Sequence, residues 1–338
     1  MRNPGIFDKI VFGINVIAAF LLLIACIAPY ITWALFSFLS FLSLVVPFLV
    51  LANILFVLYW LFKRKKQLLL SVSVLLLGYF AQGTFLKVFN SNDNIKDGDI
   101  SLLTFNTNGF SGLKWTKNPV SSQEIIAFIK AQDADIVCLQ EVGRSINRQF
   151  ENYPYKYQTP FNSTRSSQAI LSKYPIISNG SLELPNTANN VIYVDVLYKK
   201  DTLRVYNLHL QSFKVRAGSF KREQPQRLFN RMNKSFLKQQ TQAKLVREHV
   251  GQVDYKKIIC GDFNNTQFSS LYNTIKGEMN DTFLEKGSGF GSTYNFKFLP
   301  FRIDFILTDP EIEIKSHKNF DVRLSDHTPV MASFRLKE

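Results

Sequence analysis

Cysteine and histidine are both scarce, with 3 of the first and 4 of the second in 338 residues. Three cysteines give no disulfide framework, so a folded part outside any membrane must rely on its core. A stretch of about 240 residues can bury enough apolar surface for that. Cys26 lies in an apolar run, whereas Cys138 and Cys260 each end a strand-like stretch and read as small core residues. Internal repeats and low-complexity tracts are absent, so neither a solenoid nor a compositionally disordered chain is expected.

Charge is sparse in the first part of the chain and falls outside its long apolar runs. Apolar runs occupy residues 10–30, 34–62 and 68–86, each near the ~20 residues a helix needs to cross a bilayer. A cleaved signal peptide would have one apolar region of about 7–15 residues and no further spans. A soluble core is a poor alternative, because nothing else in the chain could cover so much apolar surface. The near absence of charge within the runs also disfavours a transporter. Residues 1–89 are therefore expected to form a multi-pass membrane anchor of about three transmembrane helices.

Orientation follows from the short connections. Arg2 and Lys9 precede the first run, Tyr30 and Trp33 lie at an uncharged turn, and Lys63, Arg64, Lys65 and Lys66 separate the second run from the third. The positive-inside rule puts the N-terminus and the Lys63–Lys66 loop in the cytoplasm and everything beyond the third run outside. A re-entrant second run, broken at Pro47, would invert that result.

Residues 90–98 read as a polar linker and residues 99–338 as a globular domain. In that domain, ISLLTFNT, DIVCLQE, QAILSKYPII, VIYVDVLY, LRVYNLHL, KIICGDFN, FRIDFILT and DVRLSDHTPVMASFRL read as strands bounded by turn formers. SSQEIIAFIKAQ reads as a helix capped by Ser121 or Ser122, and residues 233–250 as a second helix. Two packed sheets with helices outside accommodate this order. Basic excess is concentrated in residues 211–250, with 10 basic and 2 acidic residues. The portion before residue 233, with Gly218 and Pro225, reads as a mobile basic loop.

Polar residues recur at strand ends: Asn106, Glu141, His209, Asp262, Asn264, Asp304 and the Asp326–His327 pair of LSDHTPV. Any one of them is an ordinary turn residue. Together they offer oxygen ligands for a hard cation such as Mg²⁺, a base, an acid and positive charge, which phosphoester hydrolysis requires.

In this order and spacing, CLQE, GDFNN and SDHTPV resemble the endonuclease/exonuclease/phosphatase family, which includes pancreatic deoxyribonuclease, apurinic endonucleases and neutral sphingomyelinases. The resemblance implies an α+β fold, a four-layer α/β/β/α sandwich, with metal-dependent phosphoester cleavage using Mg²⁺, or Mn²⁺ in its place. It implies that Glu141 is the principal metal ligand, with Asn106 beside it and Asp326 assisting. Asp262 would orient or deprotonate water, and Asn264 would hold the phosphate or the water. His209 and His327 would contact phosphoryl oxygens, one of them serving as acid, with Asp304 fixing His327. Arg165 is either a phosphate clamp or an exposed loop arginine, and Arg216 and Arg222 belong to the basic arm as substrate-binding candidates. Two departures stand out: Asn108 replaces an acidic second ligand found in some relatives, and FNSTRSSQ lacks a glycine often found there.

The substrate class stays open among nucleic acid, phospholipid headgroup and sugar phosphate. The alternative function is a catalytically silent binding or scaffolding module on the same fold.

Overall fold

The structure is a computed structural model that describes residues 5–31, 39–83, 86–88, 93–112, 119–143, 146–160, 166–215, 222–296 and 299–336. It divides into two compact units, Met1–Phe85 with Asn265–Asn273, and Leu86–Asn264 with Thr274–Glu338.

The first unit contains α1 (Ile6–Ile27), α2 (Leu42–Phe62) and α3 (Leu68–Gln82). Two helical stretches, Ile6–Tyr30 and Leu39–Phe62, are long and apolar enough to cross a membrane. The expected third span is shorter: α3 has 15 residues and stops at Gln82, because Gly83 adopts a positive φ of 73° that ends the helix. Among the described residues the second run is one helix and not a re-entrant pair. Pro47 lies inside it and deprives the Ser43 carbonyl, four residues earlier, of its usual donor. Thr266 Oγ1 supplies the missing bond to Ser43 O at 2.9 Å.

Among the described residues, polar side chains join the helices at several points. Trp60 Nε1 donates to Asn15 Oδ1 (2.9 Å), Asn15 Nδ2 to Ser71 Oγ (2.6 Å), and Ser71 Oγ to Asn53 Oδ1 (2.9 Å). All four side chains are buried, so one polar chain links all three helices. Asp8 meets Tyr59 and Lys63 at one end of the bundle, while Gln82 Nε2 reaches Ala25 O at the other. The helices therefore run up, down and up. Outward faces remain apolar, with Ile10, Ile17, Phe20, Leu55, Leu58 and Leu76 exposed.

The second unit contains β1 (Ile100–Asn106), α4 (Ser122–Gln132), β2 (Ile136–Gln140), α5 (Ile146–Gln149), β3 (Tyr155–Gln158), β4 (Gln168–Ser172), β5 (Ile176–Leu182), β6 (Asn190–Tyr198) and β7 (Asp201–His209). Then follow α6 (Pro225–Gly251), β8 (Lys256–Asp262), α7 (Ser270–Lys276, whose residues up to Asn273 belong to the first unit), β9 (Asn280–Asp281), α8 (Thr282–Lys286), β10 (Tyr294–Phe296), β11 (Leu299–Phe301), β12 (Asp304–Thr308), β13 (Ile312–Asn319) and β14 (Val330–Leu336). Two six-stranded sheets form, in the orders β13-β14-β1-β2-β4-β3 and β5-β6-β7-β8-β12-β9. The neighbours β1/β2 and β7/β8 are parallel and the rest antiparallel.

Strand periodicity builds the core between the sheets. Ile100 and Leu102, Ile136 and Cys138, Val205, Ile258 and Cys260, and Ile306 alternate onto the shared face. The opposite face of the first sheet carries Leu103, Phe105, Val137 and Leu139, packed with Ile125 and Ile129 of α4. Ser121 caps α4 in a capping box with Glu124. Tyr206 on the second sheet meets His249 of α6 at 3.0 Å. The α+β four-layer sandwich is as expected, and all three cysteines are free and buried.

Three expectations need correction. QAILSKYPII is two strands, because Tyr174 and Pro175 turn the chain between β4 and β5. Residues 321–329 form no strand, and Ile312–Asn319, not anticipated, is one. Within residues 93–98, Asp93 N donates to Lys315 O at 2.8 Å and Gly98 O accepts from Tyr198 at 2.7 Å. The basic arm is largely helical. Pro225 stands at the first turn of α6, where a missing N–H is harmless, so Arg227 and Arg231 lie on a helix.

Candidate functional site

The same alternation that buries the core ends in polar groups. Continuing β1, β2, β7 and β8 along the inner face gives Asn106, Gln140, Asn207 with His209, and Asp262; β12 contributes Asp304 from its first position. Registers align them: His209 pairs with Asp262 and Asp262 with Asp304 across adjacent strands. Gln140 Nε2 bridges the sheets to Asn207 Oδ1 at 2.6 Å, forming a polar floor beneath the site.

Asp262 is the hub. Its side chain is buried, and it takes Asn106 Nδ2 at 3.0 Å, Asn264 N at 2.7 Å and Asn264 Nδ2 at 3.0 Å. His209 Nε2 lies 3.8 Å and His327 Nε2 3.7 Å from Asp262 Oδ2. Burial pushes the Asp262 carboxyl up to about 7, against the favourable charge of His327. Gly261 has φ 122°, and a Cβ there would meet Leu208 O at 2.2 Å, so glycine permits the close β7–β8 approach beside this carboxylate.

His327 Nδ1 is 2.9 Å from Asp304 Oδ2. Burial alone would lower this imidazole, but Asp304, Asp262, the hydrogen bond with Asp304, and Asp326 outweigh it and hold it at about 10. His327 is thus a cation at neutral pH. His209 differs: burial lowers it, opposed by Glu141 and reinforced by His327. Its Nδ1 faces Ser166 Oγ at 2.9 Å.

Glu141 approaches His209 Nε2 at 3.5 Å and accepts Asn106 Nδ2 at 3.3 Å. Its backbone is left-handed, φ 51°, a conformation that costs a residue of this kind on the order of 1 kcal/mol. Gly109 N and Thr107 Oγ1 hold its carbonyl at 2.7 and 2.8 Å. The side chain stays 40% exposed, leaving room for solvent or ligand.

The placement of the expected site residues is mixed. Asn106, Glu141, His209, Asp262, Asn264, Asp304 and His327 converge. Asn264 gives its amide to Asp262 and to Leu210 O (3.0 Å), so it aims the carboxylate. Asn106 turns its amide nitrogen to both carboxylates and its oxygen to Asn108 N at 3.1 Å, bridging them as a donor. Asp326 takes Ser325 Oγ at 3.1 Å and acts on His327 as a nearby charge; among the described residues no contact joins it to Glu141 or Asn106. Arg165 and Arg216 lie outside the described residues, and Arg222 is exposed.

Three residues were missed. Tyr294 packs on His327 with ring centroids 4.9 Å apart, and burial, then Asp326 and Asp262, push its phenol to about 12. Thr293 Oγ1 accepts from Ile303 N and Asp304 N, both at 3.0 Å, fixing the start of β12. Ser166 is the third. Ser166 and Thr293 precede strands and Tyr294 opens the three-residue strand β10, where sequence pattern carries no signal of facing.

A hard cation has a fitting donor set. Glu141 and Asp262 are carboxylates joined by one amide, and the exposed edge of Glu141 suits an ion that keeps several waters. Asp262, Asp304 and His327 also bring ligand atoms within 4.8 Å of one another. There the cationic imidazole already neutralises Asp304, so the Glu141 side is the better seat.

Comparisons with known proteins bear on the fold and the family. The Endonuclease/Exonuclease/phosphatase family matches residues 103–327, and a domain of unknown function (DUF8431) matches residues 8–85. No curated protein matches the chain. Among solved structures, D. rerio TDP2 complexed with single strand DNA product is similar at TM-score 0.53 and 15% identity, over 71% of this chain and 100% of that one. The human Nocturnin catalytic domain with bound sulfate anion gives 0.54 and 14%, over 75% and 98%. An endonuclease/exonuclease/phosphatase from Bacteroides vulgatus gives 0.51 and 19%, over 71% and 99%. At these identities the structures speak for the fold, and the family match, which spans more than half the chain, speaks for descent: the chain belongs to the endonuclease/exonuclease/phosphatase family.

Proposed function

We propose that the protein is a membrane-anchored, divalent-metal-dependent phosphodiesterase whose catalytic unit, residues 99–338, faces the extracytoplasmic side. The observation that carries the chemistry is the convergence of Glu141, His209, Asp262 and the His327–Asp304 pair on one another. Mg²⁺, with Mn²⁺ as the alternative, would be held by Glu141 beside Asp262, where it would supply Lewis-acid stabilisation of phosphoryl oxygen. Asp262, aimed by Asn264 and Asn106, accepts the proton of the attacking water. His327, kept cationic, donates from Nε2 to the phosphoryl group or to the leaving oxygen. His209 presents Nε2 from the other side of Asp262.

The substrate we favour is a phosphodiester in a polyanion. Support comes from a TDP2 relative complexed with a single strand DNA product and from Nocturnin with a bound sulfate. Lipid headgroups and sugar phosphates are the competing classes. For the anchor, the support is the two long apolar helices, with α3 joined to them through Ser71. The exposed aliphatic faces of all three fit lipid and not water. An up-down-up bundle with Asp8 and Lys63 at one end delivers the chain after Gln82 to the opposite side. Purified protein assayed with DNA, RNA, sphingomyelin, phosphoinositides and nucleotide phosphates in Mg²⁺ tests the reading. Hydrolysis of a phosphodiester supports it, and inertness across the panel would favour a silent binding module.

A further inference from the structure

The two buried histidines flanking Asp262 are held by different chemistry. His327 Nδ1 meets a carboxylate, Asp304 Oδ2, whereas His209 Nδ1 meets a hydroxyl, Ser166 Oγ, each at 2.9 Å. A carboxylate can only accept, which fixes the proton on Nδ1. A hydroxyl can donate, which leaves Nδ1 free to be the unprotonated nitrogen. The other nitrogen of His209 decides between the two. Nε2 faces Glu141 Oε1 at 3.5 Å and Asp262 Oδ2 at 3.8 Å, both acceptors. A proton on Nε2 is attracted to these oxygens, and a lone pair there would be repelled.

We propose that Ser166 is the positioning residue of His209, donating its hydroxyl hydrogen to Nδ1 so that the imidazole presents an Nε2–H toward the reacting phosphoryl group. Ser166 is well seated for this. Its N–H donates to Ala188 O at 2.6 Å, and the next residue is pinned from both sides: Ser167 O accepts Val142 N at 3.0 Å and Ser167 Oγ accepts Gln158 Nε2 at 3.1 Å. Gln168 then enters β4 paired with Gln140, so the hydroxyl sits just ahead of a strand that is paired on both sides. His209 ends β7, paired with Asn190 and Asp262 on either side, and its ring is buried. The Ser166 hydroxyl contacts the imidazole, so its effect passes through His209.

The inference rests on the phosphodiesterase reading only for its kinetic consequence. Its test uses full-length, metal-free protein with ¹⁵N-labelled histidine, in wild-type, Ser166→Ala and Ser166→Thr forms, with His209→Gln to assign the ring signals. Wild type and Ser166→Thr are expected to show the Nε2–H tautomer at His209. Ser166→Ala is expected to show a tautomer mixture at His209, with His327 unmoved. In the Mg²⁺-loaded enzyme, Ser166→Ala should lower kcat by about 10–100-fold, as loss of an orienting partner does, with KM little changed and Ser166→Thr restoring most of the rate. An identical His209 signal in wild type and Ser166→Ala overturns the proposal, whether or not the protein hydrolyses anything. So does an equal kcat in the two.

Discussion

His327 and Asp304 form a buried ion pair, Nδ1 to Oδ2 at 2.9 Å, whose free imidazole nitrogen lies 3.7 Å from Asp262. Two strands, β8 and β12, and the loop before β14 meet there, and the pair turns a titratable ring into a standing cation. Removing one partner separates charge from geometry. Asp304→Asn keeps the shape but leaves burial to lower His327. The rate should fall about 10²-fold or more. The alkaline limb of the activity profile, set near pH 10 in the wild type by loss of the His327 proton, should move toward neutral pH. A pH–rate profile checks both, and an unmoved alkaline limb counts against the pair.

His317 offers a cleaner titration, remote from the site. It is buried against Thr282 Oγ1 and Asn319 Oδ1 at 2.8 and 3.0 Å, and burial lowers it from 6.5 to about 4 despite Asp281. The folded state holds it neutral, so its contribution is fully present above pH 6.5 and is lost as pH falls toward 4. The difference amounts to about 3 kcal/mol. Denaturant midpoints of the wild type should drop more steeply between pH 7 and about 4 than those of His317→Gln; parallel slopes would remove His317 from the account.

The anchor makes a topological prediction. A reporter fused after Glu338 should behave as extracytoplasmic, giving alkaline phosphatase activity and no signal from a cytoplasm-only fluorophore. Replacing Lys63, Arg64, Lys65 and Lys66 with neutral residues should produce mixed orientation, because that loop holds the dense basic cluster among the short connections. A uniformly cytoplasmic reporter would mean that α3 does not cross.

Basic residues on α6 lead to a sharper experiment than the sequence allowed. Arg227, Arg231, Lys234 and Lys238 share one helix face by spacing. Glu223 holds Arg231 at 2.7 Å, whereas Arg227, Lys234 and Lys238 are exposed. Neutralising Arg227 and Lys234 should raise KM for a polyanionic substrate about fivefold per charge at low salt. Turnover of a small soluble phosphodiester should be unchanged, and the effect should fade as salt rises. Equal, salt-independent losses on both substrates would assign these residues to the fold.

Much of this architecture was legible because strand alternation is a strong pattern. Ile100, Leu102 and Asn106 lie on one face by spacing alone, so the strand-end series pointed inward as soon as strands were recognised. Motif resemblance placed Glu141 and Asp262, which are far apart in sequence and near in space. Contacts made by turns were hidden. Ser166 and Thr293 precede strands in segments with no periodicity, and only the folded chain puts their hydroxyls against His209 and the start of β12. Pro225 misled because proline breaks a helix interior but fits its first turn. The bond from Thr266 to Ser43 O, 223 residues away, has no local signature at all.

The central claim is that Asp262 works beside a divalent cation on a phosphoester. The most direct measurement is steady-state hydrolysis of a phosphodiester panel by the full-length protein in Mg²⁺ and in EDTA, for wild type, Asp262→Asn and Glu141→Gln. The account predicts turnover that EDTA abolishes and added Mg²⁺ restores. It predicts a loss of at least about 10²-fold in Asp262→Asn with the fold intact, and a higher Mg²⁺ requirement in Glu141→Gln. Undiminished hydrolysis in EDTA, or an Asp262→Asn protein that retains more than half of the wild-type rate, would contradict it.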